Sequence, residues 1–69
     1  MEFASVVKQV RKELGLSQEQ LARELNISFS TVNRWENGKS KPSQMARELF
    51  FSFCMSKSID PERYGKVGA

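Results

Sequence analysis

Apolar residues recur through the first part of the chain with a helical beat. Phe3, Val7, Val10 and Leu14 are spaced by four, three and four residues, with Val6 beside them. That is one apolar stripe on a helix over about residues 3–14. Gly15 follows where a left-handed residue would stop it. The segment Leu16-Ser17-Gln18-Glu19-Gln20-Leu21 has the grammar of a new start: Ser17 to cap, Gln20 to complete a capping box, and Leu16 to staple onto Leu21. Leu21, Ala22 and Leu25 form the inner face of this second helix. Asn26 then stands where a non-glycine residue best tolerates positive φ.

The same grammar repeats in Ile27-Ser28-Phe29-Ser30-Thr31-Val32, with Ser28 as cap and Ile27 stapling onto Val32. A third short helix is predicted to run to about Glu36, ended by Asn37-Gly38. Lys39-Ser40-Lys41-Pro42 reads as a polar connection, and Ser43 as the cap of a fourth helix reaching Met55 or Ser56. On that helix Met45, Ala46, Leu49, Phe50 and Phe53 share one face, expected to close the core, with Cys54 at its margin. Phe51 and Met55 point roughly the other way. Asp60-Pro61-Glu62 can cap and start one further turn, and the residues from Gly65 on read as frayed. No strand alternation or internal repeat is present. The expected fold is all-α, a compact bundle of four to five short helices, with a domain over residues 1–56 and a tail over 57–69.

Residues 18–37 hold two short helices separated by Asn26, Ile27 and the cap Ser28, a joint tight enough to force a steep crossing. Ala22 supplies the small residue needed at the crossing. Leu21, Leu25, Ile27, Val32 and Trp35 supply the apolar lock. The sequence here resembles the helix-turn-helix domains of the phage Cro and cI repressors, the XRE family. The resemblance rests on Gly15 through Ala22, Ile27-Ser28, Val32, Trp35-Glu36-Asn37-Gly38 and Lys41-Pro42-Ser43, and it covers residues 3 to about 55. It implies a lambda-repressor-like fold and a DNA-binding function. Two departures stand out. Asn26 replaces the usual turn glycine, and the fourth helix is rich in phenylalanine where the family usually has leucine and alanine.

In this docking mode the second helix of the motif enters the major groove and the first spans the backbone. With Val32 and Trp35 inward, the residues facing out are Phe29, Ser30, Asn33 and Arg34, the candidate base readers. Arg34 can pair with guanine O6 and N7, Asn33 with adenine N6 and N7, and Phe29 can touch a thymine methyl. The alternatives are packing of Phe29 over the motif's own joint and a solvated or phosphate-bound Arg34. Gln18 at a helix N-terminus is a candidate phosphate ligand, with Asn37, Lys39 and Lys41 across the groove and Thr31 and Gln44 as weaker ones. The resemblance also implies an ion pair between Arg11 and Glu36, which would keep the Glu36 carboxylate from facing phosphate.

Composition narrows the classes. A chain of 69 residues buries only roughly 60% of its extended surface on folding, enough for one small core. Its net charge is +3 and its pI near 9.4, a mild bias towards polyanions. Residues 1–36 carry five basic and five acidic side chains, so the excess lies wholly in the second half. The chain has no histidine, a single cysteine and no glycine-rich phosphate loop, which argues against an enzyme, a metal site or a cofactor. Cys54 reads as a small core hydrophobe. With no spanning helix or signal-peptide pattern, a cytoplasmic location and no membrane contact are expected.

The expected partner is double-stranded DNA carrying a palindromic operator, with repression of transcription as the outcome. Phe51 and Met55 are the candidate surface for a homodimer, against two alternatives: docking of a further domain, or cover by the tail around Ile59 and Tyr64. Other readings keep the fold: the DNA-reading part of an antitoxin, of a restriction–modification controller or of a larger enzyme, or a module that binds only protein.

Overall fold

A computed structural model describes residues 2–38 and 42–64. Four α-helices follow one another: α1 (Glu2–Glu13), α2 (Gln18–Leu25), α3 (Phe29–Asn37) and α4 (Gln44–Ser56), and a 3-10 turn spans Pro61–Tyr64. Among the described residues there is no strand. The all-α architecture inferred from periodicity is therefore the one observed.

Local chemistry sets the helix boundaries. Ser17 and Gln20 form the reciprocal capping box: the Gln20 N–H donates to Ser17 Oγ at 3.1 Å and the Ser17 N–H to Gln20 Oε1 at 2.8 Å. Ser28 and Ser43 cap α3 and α4 by accepting from the backbone N–H of Thr31 and Ala46. Each such cap is worth about 1 kcal/mol.

Three helices end in the same hydrogen-bond pattern. The N–H of Leu16 donates to the Arg11 carbonyl, that of Ile27 to Ala22 and that of Ile59 to Cys54, at 3.0, 2.9 and 2.8 Å. In each case the preceding residue is left-handed: Gly15 at φ 68°, Asn26 at 59° and Ser58 at 58°. This is the Schellman ending, and the apolar residue that follows turns back onto its helix. Leu16, Ile27 and Ile59 all pack against the core.

The core gathers Val6, Val7 and Val10 from α1, Leu21, Ala22 and Leu25 from α2, Val32 and Trp35 from α3, and Phe50, Phe53 and Cys54 from α4. Phe3, Trp35 and Phe50 meet edge to face, with centroids 5.4 Å apart for Phe3–Trp35, 5.6 Å for Phe3–Phe50 and 6.3 Å for Trp35–Phe50. Such pairs add about 0.5–1.5 kcal/mol each beyond burial. Through Trp35 they fix the back of α3 to both terminal helices.

The face of α4 differs from the expected one. Phe50, Phe53 and Cys54 are buried, but Met45 is 76% exposed and Leu49 38%. Phe51 is half-buried and packs against the core instead of pointing away from it. The helix is thus rolled towards Phe51 relative to the expected face, and Phe51 borders a surface depression with Pro61 of the segment that follows. The last turn is joined to the bundle by Tyr64, whose hydroxyl donates to Glu13 Oε1 at 3.4 Å. It starts at an aspartate turn in which the Glu62 N–H donates to Asp60 Oδ1 at 3.0 Å.

Candidate nucleic-acid interface

α3 presents two distinct sides. Val32 and Trp35 are buried, while Phe29, Ser30, Arg34 and Asn37 are exposed. Phe29, at 47% exposure, stands at the first position of α3 and borders a shallow surface depression with Ala22, Arg23 and Ile27 of the joint. Thr31 is half-buried, and its hydroxyl lies 2.9 Å from that of the cap Ser28. The positive end of the α3 dipole and its free N–H groups therefore open beside Phe29 and Ser30.

Behind this surface lies a polar network that ties three helices together. Arg11 Nε donates to Glu36 Oε2 at 2.7 Å and Arg11 Nη2 to Glu36 Oε1 at 3.1 Å, a two-pronged pair. A further guanidinium N–H holds the Leu16 carbonyl at 3.0 Å, at the end of α1. Gln18 Nε2 donates to Glu36 Oε1 at 3.0 Å, and Gln18 Oε1 accepts from Asn33 Nδ2 at 3.1 Å. Asn33 Oδ1 accepts in turn from Asn37 Nδ2 at 2.9 Å. Among the described residues no buried side-chain polar atom lacks a partner.

The electrostatics of Glu36 follow from this setting. Burial opposes its ionisation most strongly. The hydrogen bonds from Arg11 and Gln18, with the positive charges of Arg11 and Lys8, together outweigh burial and hold the carboxyl below the usual carboxylate range. Arg11 is raised above its ordinary value, first by its hydrogen bond to Glu36. Both groups are charged at neutral pH.

The Arg11–Glu36 pair expected from the family resemblance is present. The sequence alone gives Gln18 as a phosphate ligand and Asn33 as a free reader; the structure bonds Gln18 to Glu36 and Asn33 to Gln18. Lys8 was missed. It is exposed, three residues before Arg11 on α1, and lies near enough to Glu36 for its charge to act there. The available signal was the helical spacing to Arg11, which places both on one side.

Of the other candidate phosphate ligands, Gln44 is exposed, and its Nε2 donates to Glu48 Oε2 at 3.1 Å. Lys39 and Lys41 lie outside the described residues. Between α3 and α4 runs an open groove of about 570 Å³ whose walls include Thr31, Arg34, Trp35, Met45 and Leu49. No group of three or more potential metal ligands occurs among the described residues. Cys54 is buried, and burial, aided by the charge of Asp60, pushes its thiol up to about 11. It is therefore protonated and unreactive at neutral pH. No helix among the described residues is long and apolar enough to cross a membrane.

Two short helices joined through a left-handed Asn26, the second locked from behind and polar in front, define a helix-turn-helix domain. A helix-turn-helix family profile matches residues 7–46, more than half the chain, and the chain belongs to this family, in its XRE branch. It is 37% identical over 65 residues to the HTH-type transcriptional activator BcrR of Enterococcus faecalis, an alignment covering 90% of this chain and 32% of that protein. The chain thus spans about a third of the length of that curated relative. No solved structure matches it with comparable significance.

Proposed function

We propose that this domain binds double-stranded DNA sequence-specifically, with α3 in the major groove, and that it regulates transcription from the bound site. The observation that carries this reading is the outward side of α3. Phe29, Ser30 and Arg34 stand exposed on a helix whose opposite side is locked by Val32 and Trp35. Membership of the helix-turn-helix family supports it.

Arg34 is the main base reader, through paired donors to guanine O6 and N7. Asn33 and Ser30 add polar contacts, and Phe29 meets a thymine methyl. Gln18, Asn37, Lys39 and Lys41 face phosphates, with Lys8 added from α1 and Thr31 and Gln44 at the margin. Each phosphate neutralised by a lysine adds roughly 0.9 to the slope of log affinity against log salt.

Regulation of this kind calls for no catalysis and no cofactor. Repression requires only that the bound protein exclude polymerase from a promoter. A second reading, activation, is favoured by the likeness to a protein described as a transcriptional activator. A palindromic operator implies two copies with their α3 helices about 34 Å apart. We place the twofold contact at Met55, which is 69% exposed, and the open edge of Phe51 beside it. Sedimentation of a monomer at high micromolar concentration would remove that contact.

The test of DNA reading is selection of bound sequences from a random duplex pool, repeated with Arg34→Ala. The expected result is a palindromic site whose half-sites each relax at one base pair in the variant. Recovery of nothing above nonspecific background at moderate salt would favour a protein-binding module of the same fold.

A further inference from the structure

We infer that Gln18 is a specificity-determining positioning residue, which orients the amide of Asn33 so that α3 offers the groove a hydrogen-bond donor. The inference rests on the DNA-reading function proposed above. It starts from a group whose polarity is beyond choice. The ionised Glu36 carboxylate can only accept hydrogen bonds, so Gln18 must turn Nε2 towards it, at 3.0 Å. Gln18 Oε1 then points away and must be met by a donor, which is Asn33 Nδ2 at 3.1 Å. Asn33 is left with Oδ1 towards Asn37, whose Nδ2 donates at 2.9 Å.

A single charge thus sets a direction that runs through three amides from the base of α3 to its outer surface. Reversing any one amide would set two carbonyl oxygens, or an oxygen and the carboxylate, against each other.

The consequence is what remains free. Asn33 has spent one N–H on Gln18 and one lone pair of its carbonyl on Asn37. Its second N–H is the unspent donor. A donor in the major groove matches purine N7, guanine O6 or thymine O4, and it rejects the amino groups of adenine and cytosine. The pair of bonds to adenine expected from sequence would need the Asn33 carbonyl shared between Asn37 and the base. Gln18 therefore acts on base choice without touching the base.

The test compares selections from the random duplex pool by the unaltered protein, Gln18→Ala, Asn33→Ala and the double variant, with melting temperatures alongside. If the unaltered protein selects no site, the DNA-reading function fails and this inference fails with it. If it does select one, the inference stands on its own. Gln18→Ala and Asn33→Ala should then relax the same base pair, each by about fivefold or more, while the pair read by Arg34 keeps its preference. The double variant should discriminate no worse there than Asn33→Ala alone. Uniform weakening of all sequences by Gln18→Ala would overturn the inference and make Gln18 a phosphate ligand only. So would losses that multiply in the double variant.

Discussion

The α1–α2–α3 unit and the α4–tail unit are built on different terms. In the first, every junction has a polar device: the capping box of Ser17 and Gln20, the left-handed Gly15 and Asn26, and the Arg11–Glu36 pair bracing α1 against the end of α3. In the second, α4 has the Ser43 cap and the left-handed Ser58 at its ends, but its seat on the bundle is set mainly by packing. Phe50 and Phe53 are inserted, Ile59 is turned back, and Met45 and Met55 are left in water. The only ion pair there among the described residues joins Lys57 to Glu24 at 3.7 Å between half-exposed side chains, a class of contact worth about 0–1 kcal/mol. Polar devices are directional and fix angles, which a helix placed in a groove needs. Apolar packing holds elements together and leaves their rotation to the sum of neighbours.

Substitutions can break or sharpen this contrast. The largest effect is expected from Phe50→Ala. This side chain is fully buried between Phe3 and Trp35, so its truncation should cost about 3–5 kcal/mol in urea unfolding. A loss below about 1 kcal/mol would mean that α4 is not wedged into the core. Arg11→Ala should cost about 3 kcal/mol, since it strands a carboxylate that is only 8% exposed, and DNA affinity should fall with it. An unchanged melting temperature would break the claim that α3 is braced by this pair.

The pH dependence sharpens the same point. The folded-state pKa of Glu36 is depressed below its ordinary 4.5. Its stabilisation is therefore complete above that pH and is lost as the pH falls through the lower folded value. In Arg11→Ala burial acts with less opposition, so the penalty of the substitution should shrink in acid. A penalty independent of pH would show that the carboxylate is not the cause.

At the α4 end, Ser58→Gly should stabilise by about 0.5–1 kcal/mol, because a left-handed serine at φ 58° carries a steric cost that glycine lacks. Smallest of all should be Met45→Ala, within about 0.5 kcal/mol as for other exposed sites. A larger loss would restore Met45 to the core.

The same contrast explains what could be read from the chain. Ser17, Gln20, Ser28, Gly15 and Asn26 act on backbone groups within a few residues, so their roles can be inferred from local spacing. Val32 and Trp35 are separated by polar residues, which leaves one choice of inner face for α3. On α4, Met45, Ala46, Leu49, Phe50, Phe51, Phe53, Cys54 and Met55 surround nearly the whole helix. Periodicity cannot choose a face there, and the face is set by what the helix packs against in the assembled core. Ser58 was illegible because serine is not a residue that announces positive φ. The Gln18–Asn33 bond was illegible because it joins side chains fifteen residues apart, whose meeting depends on how α2 crosses α3. The Arg11–Glu36 pair is more distant still, and it was reached only through the family resemblance.

The most direct test of the claim that α3 is the reading surface is a map of backbone amide shifts on adding the duplex recovered by selection. The expected changes lie at the N-terminus of α2 around Gln18 and along the exposed side of α3 at Phe29, Ser30, Asn33 and Arg34, with Ile59 unmoved. Changes concentrated instead at Met45 and Leu49, with Ser30 and Arg34 silent, would contradict the account and move the binding surface to α4.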